Sequence, residues 1–546
     1  MKLNRTFPTF LLLTAVVLTS CQNKVDLIVH NGSINTMSQS KPVASAFVVD
    51  DGKFIDVGDE ALLKKYEATR VIDLKGLPVY PGFIDSHCHF LGLGLSLQQV
   101  DLVGTANFKE VLDRVSRFAS KKNLKAITGR GWDQNDWKSK KLPNKEALDT
   151  LFPEIPVALR RIDGHALLVN QKALDLAGIT DETEISGGEI VKENGQLTGV
   201  LIDSPMRLVN QILPMPSVED KIKALQDAEQ IAFSNGLTSV SVAGLDKEDI
   251  FLIDSLHKIN QLSIRIYAMI SNTPENMDYF LKAGPYKTDK LNVRSFKIYA
   301  DGALGSRGAV LKEPYSDMNN HVGAFITPKD SIETLAYKLA ASPFQMNTHA
   351  IGDAANKVVL EAYKKALVFS DDPRWRVEHA QIIDTSDIKL FNRKILPSVQ
   401  PTHATSDMYW AEDRLGKARL SGAYAYKDLL ERSGRIALGT DFPVENVSPF
   451  KTFYAATVRK DAEQYPERGY LPENKLSSIE ALKGMTIWGA YANFEDNEKG
   501  TIEVGKVADF IILDRDILKI AEKRILKARV VATLLDGQIV YNNRFN

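Results

Sequence analysis

Eight short β-prone runs punctuate the middle of this chain, and the stretches between them carry helical periodicity. That pattern leaves few folds open. The first run enters through Pro81-Gly82 and ends at His87-Cys88-His89; the others fall at 237–242, 264–269, 293–299, 345–349, 375–379, 395–399 and 436–440. Helices over 220–234 and 357–367 fill two of the gaps. Strands alternating with helices build a parallel sheet, and eight of them predict an α/β fold of the (β/α)8, or TIM-barrel, type. The stretch from about 95 to 215 is too long for one strand-to-helix connection. It is expected to form an insertion after barrel strand 1, over the barrel mouth.

The ends of the chain read differently. Residues 26–30, 33–37 and 71–74 are short strand signals, and 46–49 with 54–58 form a hairpin around Asp50-Asp51-Gly52-Lys53. The far end answers in the same style, with a strand over 505–514 and a hairpin turning at Asp536-Gly537. One small β-sandwich domain, built from 21–78 and 497–546, is therefore expected to flank a barrel over 79–496. Before it, Lys2 and Arg5 precede an apolar stretch over 10–18, too short to span a bilayer, and Leu18-Thr19-Ser20-Cys21 follows. This resembles a bacterial lipobox. It predicts a signal peptide over 1–20, a lipid on Cys21 and a body tethered in the bacterial cell envelope, periplasmic or surface-facing. With 68 basic against 69 acidic residues and no basic block, the chain lacks the electrostatic footprint of a nucleic-acid binder. Two cysteines argue against a disulfide framework.

Histidines and an aspartate sit where a barrel places chemistry, at the C-terminal strand ends. On a strand, alternate side chains share a face, so His87 and His89 point together and Cys88 points away. His349 ends the fifth run, His379 the sixth and Asp441 follows the eighth, while Lys297 lies inside the apolar fourth run, where an unpaired ammonium is costly. Singly, each of these could cap a loop or face solvent. Their joint placement argues for a metal site, since imidazole and carboxylate are ready ligands.

This set, with Pro-Gly-Phe-Ile-Asp-Ser-His-Cys-His at 81–89, resembles the amidohydrolase superfamily of metal-dependent hydrolases over almost the whole mature chain. Gly-Arg-Gly-Trp-Asp at 129–133, Asp-Gly-His at 163–165, Lys-Ile-Tyr-Ala-Asp-Gly-Ala-Leu-Gly-Ser-Arg at 297–307 and His-Ala-Ile-Gly-Asp at 349–353 are similar to the branch that includes N-substituted formamide deformylases. The resemblance implies that His87, His89 and Asp441 hold one divalent metal and that His349 and His379 hold a second. Lys297, carboxylated to a carbamate, would bridge them. Two zinc ions suit these ligands; a mononuclear site is the alternative. Metal-activated hydroxide would attack the substrate, and Asp441 would shuttle the proton to the departing nitrogen. His165, Asp301, Arg307, His403 and Trp132 are candidate substrate contacts. The expected function is hydrolysis of a non-peptide C–N bond, amide or formamide-type, in a small molecule. Cyclic amides, dipeptides, esters or deamination are the alternatives within the superfamily, and a ligand-binding lipoprotein without catalysis is the alternative outside it. A homodimer is compatible with all of these.

Overall fold

The structure is a computed structural model and describes residues 23–120 and 124–543; the expected signal peptide over 1–20 and the expected lipid site at Cys21 lie outside the described residues. The barrel strands are β1 (Phe83–Cys88), β2 (Leu237–Leu245), β3 (Arg265–Ser271), β4 (Leu291–Tyr299), β5 (Gln345–Ala350), β6 (Trp375–His379), β7 (Ile395–Val399) and β8 (Ala437–Leu438). Each pairs in parallel with the next, β1 to β8 in order. These strands are buried along almost their whole length, β1, β5, β6 and β7 at every residue. That is why they read as continuous apolar runs rather than alternating ones.

The eighth strand is shorter than the expected 436–440. Gly439 passes so close to β1 that a Cβ there would lie 2.6 Å from His87 N, and Asp441 has φ 62. The chain thus leaves the ladder and wraps onto β1. Asp441 N donates to His87 O at 2.8 Å and His89 N to Phe442 O at 2.8 Å. Asp85 completes the seam by accepting from Thr440 N at 3.1 Å, Thr440 Oγ1 at 2.7 Å and His87 N at 3.2 Å. The helix expected over 357–367 is Asp353–Ala366. Asn356 anchors its first turn, donating to Gly352 O at 3.0 Å and to Ile382 O at 3.2 Å. The helix expected over 220–234 is Val218–Ser234, started two residues earlier by a Ser217–Asp220 capping box.

The insertion has its own mixed sheet, in the order Gly188–Glu193, Gln196–Asp203, Ala166–Val169, Val157–Arg161, Ile127–Trp132, Val100–Asp101. Apolar clusters cover both faces, one around Trp132, Leu159 and Val200 and the other around Leu167, Leu174 and Leu201.

Two further sheets form the sandwich. One is purely N-terminal: Lys53–Gly58, Ala46–Asp50, Asn23–His30, Tyr66–Asp73. The other interleaves both chain ends: Gln538–Asn542, Val530–Leu535, Phe510–Leu513, Pro78–Pro81, Ser33–Asn35, Val43–Ala44. Phe47 packs against Phe54 at 5.2 Å and against Phe510 at 4.9 Å between ring centres, so both chain ends share one core. Gly82 is the joint to the barrel. A Cβ there would lie 2.2 Å from Thr238 Oγ1.

Candidate active site

Cys88 ends β1 fully buried in the barrel core, turned from the two histidines as strand alternation requires. His87 is fully buried beneath the cavity. His89 already lies beyond the strand, at the N-cap of helix Phe90–Ser96, its side chain 32% exposed. Lys297 Nζ, from β4, approaches His87 Nε2 to 3.1 Å. The His379 ring lies 4.8 Å from His87 and 4.5 Å from His349. Asp441 Oδ1 stands 3.1 Å from His89 Nε2 and 3.6 Å from His87 Nε2, and its Oδ2 is 3.4 Å from His403 Nε2. All six sequence-predicted ligand residues therefore meet at the mouth. Ligand atoms of His87, His379 and Asp441 lie within 4.8 Å of one another. This cluster takes His379 from one expected metal set and His87 and Asp441 from the other, so the two sets are not separate in space.

Burial pushes the imidazoles of His87, His349 and His379 down, those of His349 and His379 well below the usual range. They stand neutral, the form that ligates metal. Burial alone would raise the Asp441 carboxyl, but the close approach of His403, His89 and His87 outweighs it and holds the group well below the usual carboxylate range. Asp441 Oδ1 and His379 Nδ1 are buried yet take no well-aligned hydrogen bond among the described residues. Unsatisfied, converging donor atoms of neutral imidazoles and a carboxylate fit a divalent cation.

Two carboxylates that sequence reading missed support this group. Glu378 Oε2 lies 2.5 Å from His87 Nδ1, and both side chains are fully buried. A carboxylate on the far nitrogen fixes the orientation and tautomer of a ligand histidine. Adjacent residues on a strand should face opposite ways, but His379 has φ 71, which breaks the alternation and lets Glu378 and His379 both reach His87. The only sequence signal was a charge inside an apolar strand. Asp85, the other carboxylate, ties the β1 and β8 ends as described.

Of the five expected substrate contacts, His165 and His403 line the cavity, which has a volume of about 230 Å³. His403 sits between Asp441 and Glu445; burial opposes its charge, but hydrogen bonds with those acids push it up to about 10. The other three do not reach the cavity. Trp132 is fully buried in the insertion core, its Nε1 donating to Leu159 O at 2.7 Å. Asp301 spends its carboxylate on the backbone, accepting from Val310 N at 2.8 Å, Ile351 N at 2.9 Å and Gly352 N at 2.8 Å, and so fastens the loop after β4 to the loop after β5. Arg307 pairs with Asp317 at 2.8 Å. In each case a nearer partner captures the side chain. Trp132→Phe is accordingly expected to leave KM unchanged while lowering stability by about 1–3 kcal/mol, the cost of orphaning a buried carbonyl; steady-state kinetics and urea unfolding check both. Structural partners also hold His30, His257 and His321: Glu60, Ile264 O and Arg307 O.

The profile of the amidohydrolase family matches residues 70–541. The chain belongs to the amidohydrolase family. This amidohydrolase is 32% identical over 537 residues to the Protein LONG AFTER FAR-RED 3 of Arabidopsis thaliana, covering 94% of this chain and 91% of that one. It is 25% identical to the N-substituted formamide deformylase of Arthrobacter pascens, covering 94% and 98%. Its fold is similar to an uncharacterized metal-dependent hydrolase from Pyrococcus horikoshii OT3, with a TM-score of 0.72, 28% identity and coverage of 91% and 99%. The amidohydrolase is a hydrolase built around a divalent-metal site.

Proposed function

We propose that this amidohydrolase cleaves the C–N bond of a small amide or formamide-type substrate. The observation that carries the reading is Asp441, an ionised carboxylate beside the neutral imidazoles of His87 and His379, with Asp441 and His379 lining the cavity. Similarity to the formamide deformylase over 98% of that protein supports the substrate class. When bound, a divalent metal, zinc in our reading, supplies Lewis acidity that lowers the pKa of water and polarises a carbonyl. His87, His89, His349, His379 and Asp441 would hold two such ions. Lys297 would bridge them as a carbamate: its amine nitrogen bonds the carbon of carbon dioxide and loses a proton. Burial pushes that amine down to about 8, which makes the neutral nucleophile accessible. Asp441 takes a proton from the attacking water at a carboxylate oxygen and returns it to the leaving nitrogen. Glu378 keeps His87 turned toward the ligand set.

The test is a panel of N-formyl amines, anilides, cyclic amides, dipeptides and esters, assayed with zinc-loaded protein whose metal content is measured. Turnover of the formyl amines with two zinc per chain is expected, and Lys297→Ala should lose most of it. One zinc per chain, or full activity in that variant, overturns the bridged site. We also place the body on a lipid tether in the cell envelope, on the strength of 1–21 alone. Labelled fatty acid should enter the parent chain and not Cys21→Ser.

A further inference from the structure

The insertion carries a second carboxylate–imidazole pair to the cavity. His165 precedes strand Ala166–Val169, and its ring lines the cavity 5.1 Å from the ring of His349. Asp203 ends the neighbouring strand Gln196–Asp203 and grips residue 165 twice. Its backbone N donates to His165 O at 3.0 Å, and its Oδ1 accepts from His165 Nδ1 at 2.6 Å. With Nδ1 committed, Nε2 is the ring nitrogen left to meet a substrate.

Asp203 is costly to keep. Its φ of 57 is left-handed, a conformation that a residue with a Cβ adopts at the expense of about 1 kcal/mol or more. Its side chain is 1% exposed, and Oδ2 has no hydrogen-bond partner among the described residues. A buried, half-satisfied carboxylate is unfavourable. The loop after β4 is shaped around it: a Cβ on Gly302 would lie 2.2 Å from Asp203 Oδ2, and one on Gly308 would lie 2.4 Å away. The insertion's sheet does not need this group, because Val200, Leu201 and Ile202 already fill its two apolar faces. What Asp203 secures is the orientation of one imidazole beside a metal ligand.

We propose that Asp203 is a positioning residue for His165, and that His165 is a catalytic residue contacting the substrate through Nε2 beside His349. The insertion is then part of the machinery and not only a cover. The proposal rests on the hydrolase reading above, and the probe is p-nitroformanilide with the zinc-loaded full-length chain. His165→Ala is expected to lower kcat about 100-fold and Asp203→Ala at least about tenfold, with KM little changed. Asp203→Asn, which keeps an oxygen for Nδ1–H, should recover most of the loss. In the His165→Ala background, Asp203→Ala should cost nothing further, because a positioning effect vanishes with the group positioned. Additive losses, or an Asn variant as slow as the Ala variant, overturn it. A readout independent of turnover is the ¹⁵N spectrum of histidine-labelled protein without substrate. The His165 resonances should report Nδ1–H in the parent and in Asp203→Asn, and lose that signature in Asp203→Ala. An unchanged tautomer in Asp203→Ala refutes the pair. A parent that shows the signature but leaves the anilide intact refutes only the amide reading.

Discussion

On the proposed mechanism, Asp441→Asn is expected to lower kcat/KM on any substrate of this amidohydrolase by at least about 1000-fold, because the proposed proton shuttle and an anionic ligand are lost together. The substitution is nearly isosteric, and asparagine tolerates the left-handed φ of 62 at this position, so the backbone is not strained. Only the charge and the basicity go. His89, His403 and His87 crowd the carboxylate, and without its charge His403 loses one of the two acids that hold its proton. Zinc content must be measured beside the kinetics. A variant that keeps the parent's metal and loses less than about tenfold in kcat removes Asp441 from the proton-transfer role.

The largest stability effect is expected where the sandwich meets the barrel. Arg265 opens β3 at the bottom of the barrel, and its guanidinium donates to Asp509 Oδ2 at 2.7 Å, to Asp509 Oδ1 at 2.9 Å and to Asp536. The Arg265 and Asp509 side chains are 5% and 4% exposed. Arg265→Met should destabilise the fold by about 3–5 kcal/mol, because it strands a buried carboxylate rather than merely losing an attraction. Adding Asp509→Leu should recover much of that, since an apolar pair of similar volume carries no desolvation cost. Urea unfolding of the single and double variants decides the matter. If the double variant is no better than the single, the pair contributes specific attraction beyond the cost of an orphaned charge.

The junction also marks how far the sequence could be read. Strands buried on both faces announce themselves as apolar runs, and β6 and β7 fall at 375–379 and 395–399 as read. Where the chain breaks alternation, that legibility ends. β8 is cut to two residues by the close pass of Gly439 and the turn at Asp441, and Glu378 joins the site only because His379 has a positive φ. Trp132, Asp301 and Arg307 looked available because a side chain's nearest partner is a tertiary fact: Leu159 O, three backbone amides and Asp317 claim them.

By itself the sequence determined the eightfold alternation and the residue types at the strand ends, because burial period and ligand chemistry are local properties that a linear pattern records. Only the tertiary structure decided which of those groups share a cavity, that Glu378 sets His87, and that Asp203 reaches from the insertion to hold His165. Those contacts join residues 291 and 38 positions apart. They depend on backbone torsions and close glycine approaches, which no periodicity encodes.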